Sequence, residues 1–206
     1  MIGIVKPSSG NLKSLVNSLE IFNIKNKILY SEKDFYDVRT VILPGVGSYA
    51  ASMENLYNNN LIDILNEKIL VKKIPFLGIC VGMQILSNYG NEFQKARGLG
   101  WIDGEVIKIQ KKDNIRIPHM GWNNLKLKKQ SKLLNNSEKE QNFYFVHSYH
   151  LILNSGLDMV TSTVFHGEEL IASLEKDNII GVQFHPEKSQ DNGLIFLKNF
   201  LRNYYL

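Results

Sequence analysis

Short apolar runs without apolar/polar alternation, set between segments of helical spacing, constrain this chain more than any other feature. Ile2–Val5, Thr40–Leu43 and Pro75–Ile79 are such runs, and Lys27–Tyr30 is a weaker one. A strand with one wet face alternates; a strand covered on both faces does not. Between the runs, Leu12, Leu15, Val16 and Leu19 fall at helical spacing. Ala50–Tyr57 and Leu61–Leu70 read as further helices, and Met83–Ser87 begins another. The first half is therefore expected to form a parallel sheet with helices on both faces. Pro44-Gly45 is expected to close the third strand, because proline cannot donate to a ladder.

The second half changes character. Trp101–Gln110, Phe143–Val146, Met159–Phe165, Leu170–Leu174 and Ile179–Gln183 are strand-like with turn signals between them, and Leu194 to Leu201 is an amphipathic helix. Tyr57–Asn60 and Lys126–Gln141 read as loops, the latter with room for edge strands. At 206 residues the chain has length for one sizeable core and not for two, so residues 1–206 are expected to form a single α/β domain with an antiparallel extension.

Bulk chemistry narrows the function classes. The net charge is +4, but the densest basic run, Lys126 to Lys132, interleaves leucine with lysine as a solvated face does. Nothing points to nucleic acid. The single cysteine excludes an internal disulfide and any zinc site that needs two thiolates. Met1 leads straight into a strand with no basic leader, and no apolar run approaches the roughly 18 residues of a membrane span. The expectation is a cytoplasmic protein without membrane contact.

That one cysteine lies in Gly78-Ile79-Cys80-Val81-Gly82, straight after an expected strand and before an expected helix. This is the pattern of a nucleophile elbow with sulfur in place of oxygen. A tight strand-to-helix turn strains the nucleophile's backbone and leaves no room for side chains beside it, hence the glycines. A helix starting behind the sulfur would favour the thiolate, and the Val81 N–H could donate to a developing oxyanion. A buried structural cysteine is the alternative at this point.

Near the other end, Gly181-Val182-Gln183-Phe184-His185-Pro186-Glu187-Lys188 carries a strand to a histidine, a proline and a carboxylate. Period-2 geometry in an extended segment would put His185 and Glu187 on one side, so that Glu187 accepts from Nδ1–H and Nε2 faces the thiol. Alone, His-x-Glu is most often a surface pair. Together with the elbow it supplies a base and its orienter, in chain order Cys, His, Glu.

These segments resemble the class I (triad) glutamine amidotransferases. Besides the elbow and the His-Pro-Glu turn, the likeness rests on Gly10-Asn11-Leu12, Leu43-Pro44-Gly45-Val46-Gly47, Pro118-His119-Met120-Gly121-Trp122-Asn123 and Tyr144-Phe145-Val146-His147-Ser148-Tyr149. The PHMGWN, FVHSY and PEKS segments narrow it to the glutaminase subunits of imidazole glycerol phosphate synthase. The resemblance implies a flavodoxin-like, mostly parallel sheet flanked by helices. It implies Cys80 as nucleophile, His185 as base then acid, and Glu187 as orienter. Gly45, Val46 and Gly47 would form the oxyanion strand together with Val81, and Gln84, Ser148 and Tyr149 would contact L-glutamine. Lys188, Asn11, Trp122 and Asn123 would lie at the interface with a (β/α)₈-barrel partner that receives the ammonia. His119 would be structural or interfacial. No metal or organic cofactor is implied.

The departures from the family pattern are the loop Lys6-Pro7-Ser8-Ser9, Val81 after the cysteine, and His150 where an aromatic residue is common. They remove no catalytic group. They leave the acceptor open between histidine synthesis and a sugar or surface-glycan pathway.

Overall fold

The computed structural model describes residues 1–7, 12–134 and 141–205. The expected early strands form: β1 (Ile2–Val5), β2 (Asn26–Leu29), β3 (Thr40–Gly45) and β4 (Phe76–Cys80). Helices α1 (Lys13–Glu20), α2 (Tyr49–Asn58) and α3 (Leu61–Leu65) lie between them, and α4 (Val81–Gln84) follows β4. Two short strands come next, β5 (Tyr89–Gly90) and β6 (Ala96–Arg97), then β7 (Gly104–Lys108), β8 (His119–Leu127), β9 (Asn142–His147) and β10 (Tyr149–Leu153). The chain closes with β11 (Val160–Phe165), β12 (Glu169–Lys176), β13 (Ile179–Val182) and α5 (Gln190–Tyr204).

Among the described residues, one sheet runs in the order β2-β1-β3-β4-β13-β12-β11-β8-β9 and a smaller one in the order β10-β7-β5-β6. The first five strands of the large sheet pair in parallel, and the remaining pairings are antiparallel. Burial explains the two kinds of sequence. Every residue of β1, β4 and β13 is buried, whereas β8 and β9 alternate residue by residue between buried or half-buried and more exposed positions. Each fully buried Ile, Leu or Phe contributes on the order of 1.5–3 kcal/mol, and the parallel core is made almost wholly of such residues.

Several expectations are corrected. β3 runs on through Pro44 and Gly45, pairing them with Ile79 and Cys80. The Val41 N–H points to the β4 side, where it donates to the Pro75 carbonyl. By alternation the missing Pro44 N–H falls on the β1 side, and that ladder has already ended at Ile42. The helix from Leu61 gives way at Asn66–Val71 to a wider π turn. Tyr57 and Asn58 belong to α2 and not to a loop.

The helix after the elbow is a single turn, Val81–Gln84, and does not continue to Ser87. The returning chain takes its place: the N–H groups of Leu99, Trp101 and Gly100 donate to the carbonyls of Ile85, Leu86 and Ser87. Those acceptors are spent on a loop that returns 13 to 15 positions later. β8 is a nine-residue strand not expected from the sequence, and its last two residues, Lys126 and Leu127, fall in the segment expected as loop with room for edge strands.

Candidate active site

β4 delivers Cys80 to the elbow with φ 54 and ψ −111. A non-glycine residue in that region costs on the order of 1–3 kcal/mol and persists only where its surroundings hold it. The glycines beside it are obligatory on space alone. A Cβ on Gly82 would stand 1.9 Å from the Leu43 carbonyl oxygen, and one on Gly78 would stand 2.5 Å from the Gly82 oxygen. With only four residues in α4, the helix dipole expected behind the sulfur is slight. Thiolate stabilisation must come mainly from side chains.

His185 follows a buried aromatic anchor. Phe184 is fully buried, with ring centroids 4.1 Å from Phe143 and 5.4 Å from Phe196. The His185 N–H donates to the Tyr144 carbonyl, and Ser189 Oγ donates to the His185 carbonyl. Pro186–Lys188 is a 3₁₀ turn, not the extended segment read from the sequence. Proline at its first position suits the turn's φ. The turn swings Glu187 back so that Oε1 lies 2.7 Å from His185 Nδ1.

The same imidazole, 2% exposed, shares the cavity wall with Cys80 and interacts electrostatically with it. Burial alone would lower its pKa. The thiolate's charge and hydrogen bond, then those of Glu187, reverse this and carry it up to about 10. The arrangement therefore favours the imidazolium form of His185 beside Cys80.

A cavity of about 630 Å³ opens onto this pair. Its wall includes Gly45, Val46, Gly47, Val81, Gln84, Ser148, Tyr149 and Lys188 as well as Cys80 and His185. Glu187 stands behind His185, beside a small void shared with Pro7 and Leu12. Glu92 and Lys108 add one charge of each sign to the main wall, which suits a zwitterion.

The residues expected at a partner interface are placed unevenly. Trp122, 45% exposed, packs edge-on to Tyr144 at 6.0 Å, and Lys188 Nζ lies 6.0 Å from the same ring. Asn123 alternates to the other face of β8, where its amide donates to the Phe165 carbonyl and meets His119 Nε2. Asn11, like Ser8, Ser9 and Gly10, lies outside the described residues.

Sequence reasoning passed over Gln183. It is wholly buried, and its Nε2 donates to Cys80 Sγ at 3.5 Å. A glutamine ending an apolar strand was the available signal, because a buried amide needs partners. His147 was also missed; it links His119 Nδ1 at 3.0 Å to the Tyr149 carbonyl at 2.8 Å. Burial lowers His147 to about 3 and His119 to about 4, so both rings are neutral at pH 7. Among the described residues no cluster of His, Cys, Asp and Glu is placed to hold a metal, and no helix is long and apolar enough to cross a membrane.

Residues 7–204 match the family described as glutamine amidotransferase class-I. The chain is 42% identical over 202 residues to imidazole glycerol phosphate synthase subunit HisH 1 of Campylobacter jejuni, spanning 98% of this chain and 100% of that protein. To imidazole glycerol phosphate synthase subunit HisH of Leptospira interrogans it is 40% identical over 203 residues, or 97% and 98% of the two chains. A crystal structure of a glutamine amidotransferase covers 100% of this chain and 99% of its own, with TM-score 0.73 and 15% identity. Another, from Thermotoga maritima, covers 98% and 81% with TM-score 0.63 and 17% identity. At those identities the solved structures speak for the fold alone, and they agree with the α/β architecture expected from the sequence.

Proposed function

Because the chain belongs to the class I glutamine amidotransferase family, we propose that it is the glutaminase subunit of an imidazole glycerol phosphate synthase. It hydrolyses L-glutamine to glutamate and ammonia and passes the ammonia to a partner subunit. The observation that carries this reading is buried His185, which lines one cavity wall with Cys80 and meets Glu187 Oε1 through Nδ1 at 2.7 Å. Residues 1–206 act in it as one amidotransferase domain, consistent with the continuous buried core.

In the proposed reaction the Cys80 thiolate attacks the carboxamide carbon of glutamine. The oxyanion takes hydrogen bonds from the Val81 N–H and from the Val46 or Gly47 N–H. His185 gives its proton to the departing ammonia, leaving a glutamyl thioester. The neutral imidazole then takes a proton from water, which cleaves the thioester and restores the sulfur. Removing one oxyanion donor typically costs roughly 10²–10³ in rate. A strand that withholds its donor until the partner and acceptor are in place is therefore a sufficient off-switch.

The partner in this proposal is a (β/α)₈ barrel. Ammonia released to bulk water would be protonated and lose its nucleophilicity, so a sealed route into the barrel is needed. There the nitrogen joins a phosphoribulosyl intermediate, giving imidazole glycerol phosphate and the aminoimidazole carboxamide ribotide of histidine synthesis. Names of the full-length relatives favour this acceptor over the sugar or surface-glycan alternative. Exposed Met120 and Trp122, with Tyr144 and Lys188 nearby, support a docking face beside the cavity mouth.

Glutamine turnover by the purified chain, alone and with its barrel partner plus acceptor, tests the reading. Feeble turnover alone with strong stimulation in the pair is expected. Equal turnover in both would refute the subunit role.

A further inference from the structure

A run of hydrogen bonds leads from β11 to the nucleophile, and two main-chain carbonyls in it determine which way each bond points. The Asn123 amide nitrogen donates to Phe165 O at 3.0 Å and lies 3.1 Å from His119 Nε2. His119 Nδ1 meets His147 Nε2 at 3.0 Å, and His147 Nδ1 meets Tyr149 O at 2.8 Å. A carbonyl oxygen only accepts. Nδ1 of His147 therefore carries the hydrogen and its Nε2 accepts, so Nδ1 of His119 carries the next hydrogen and its Nε2 accepts from Asn123.

The Tyr149 carbonyl constrains the other branch equally. Gln84 Nε2 donates to it at 2.8 Å and donates its second hydrogen to Gln183 Oε1 at 3.0 Å. With its oxygen committed to Gln84, Gln183 turns its NH₂ to the Cys80 sulfur. Flipping Gln183 alone would set NH₂ against NH₂ at Gln84 and a carbonyl against the sulfur, and flipping both amides would set Gln84 Oε1 against the Tyr149 carbonyl.

We propose that Gln183 is a catalytic residue whose side-chain N–H stabilises the Cys80 thiolate, held in the donating sense by Gln84. The proposal rests on Cys80 being the nucleophile. A thiol is a weak acceptor and a thiolate a strong one, so a donor fixed at the sulfur favours the ionised form. Gln183 is 0% exposed, so water neither competes for that N–H nor replaces it. The one-turn α4 makes such a donor necessary, because it supplies little dipole of its own. The other groups facing the sulfur or its cavity are the Val146 carbonyl, an acceptor 4.0 Å from Sγ that favours the thiol, His185 with Glu187 behind it, neutral His147, and the charges of Glu92, Lys108 and Lys188.

The test is the rate of Cys80 alkylation by iodoacetamide against pH in the full chain. Cys80 is the only cysteine, so the label reports that sulfur alone. Gln183→Met is expected to move the midpoint up by about one pH unit, which slows alkylation about tenfold below the midpoint. Gln183→Glu, nearly isosteric but negative, moves it further. Gln84→Met frees the amide to turn and gives a smaller shift in the same direction; it decides the matter should the Gln183 variants fail to fold by circular dichroism. In the assembled pair Gln183→Met lowers kcat and leaves KM for glutamine within about twofold, since Gln183 touches the sulfur and not the substrate. An unchanged alkylation midpoint overturns the proposal. A wild-type Cys80 that resists alkylation at every pH removes its premise, and that outcome is distinct from equal labelling.

Discussion

A Cβ on Gly45 would stand 2.3 Å from the backbone nitrogen of Gly82. The end of β3 is thus pressed against the elbow, and Gly45 is also the rung of the β3–β4 ladder opposite Cys80. Any turn of the peptides in Pro44–Gly47 is made against the first turn of α4. Gly47, with φ 106, provides the freedom for such a movement, and Gly45 and Gly82 provide the space.

Replacing Gly82 by Ala tests that packing. Its new methyl would meet the Leu43 carbonyl, which is backbone in a buried ladder and cannot step aside. Overpacking of this kind typically costs about 1–3 kcal/mol. The urea midpoint should fall accordingly, and glutaminase activity should fall by more than the folded fraction does, because the elbow itself must shift. Unchanged stability would show that β3 gives way easily.

Cys80→Ala separates the two half-reactions. It should abolish use of glutamine and leave the assembled pair able to work from added ammonium. Retained glutamine hydrolysis would take the nucleophile role away from this sulfur.

Glu187→Gln should act through His185. The raised imidazole pKa is sustained first by the thiolate and then by Glu187. Removing the carboxylate charge lowers it, so the basic limb of the pH–rate profile should move to lower pH. With the imidazolium less stabilised, kcat should drop roughly 10²–10⁴. An unmoved limb with unchanged kcat would leave Glu187 a mere neighbour.

What could be read in advance follows from which contacts are local. β1, β3 and β4 were legible because burial on both faces writes itself into consecutive residues. The elbow was legible because two glycines flank one cysteine. β8 was not, since Met120 and Trp122 sit exposed where alternation leads one to expect polar residues. The shortening of α4 depends on Leu99 to Trp101 returning to claim the carbonyls of Ile85, Leu86 and Ser87 just past its end. Gln183 was invisible as a sulfur ligand because its partners, Gln84 and Cys80, lie 99 and 103 positions away.

Stability should peak near neutral pH. His119 and His147 are depressed to about 4 and about 3 by burial, and burial also lowers His150. Between those values and about 6.5 the unfolded chain binds more protons than the folded one, so stability is lost as pH falls, by ~1.4 kcal/mol per pH unit for each of His119 and His147, with His150 adding in the same direction. His185 works the other way. Raised to about 10, its contribution is complete below about 6.5 and is lost as pH climbs from there through about 10. Urea midpoints from pH 5 to 9 check this, staying above the range where carboxylates protonate. His119→Phe, stacked on Phe145 and His166 as the imidazole is, should cut one proton from the acid slope. A slope that does not change would deny that His119 is neutral in the fold.

His150→Phe should stabilise the protein. The imidazole is 6% exposed and its Nδ1, buried, has no hydrogen-bond partner among the described residues. Leaving a buried polar group unsatisfied costs about 1–3 kcal/mol. A phenyl ring removes that cost, although its larger bulk opposite Ile107 on β7 returns part of the gain as crowding. The net expectation is about 1 kcal/mol, or a Tm rise of about 2–4 °C for a chain of this size. The acid slope should also become shallower, because burial is the first cause of the lowered His150 pKa. His150 is not part of the cavity wall, so kcat/KM in the assembled pair should stay within about twofold. A lower Tm would mean that the imidazole's interactions with the Leu151 backbone and Glu168 outweigh the unsatisfied Nδ1, and would move His150 from a tolerated departure to a structural requirement.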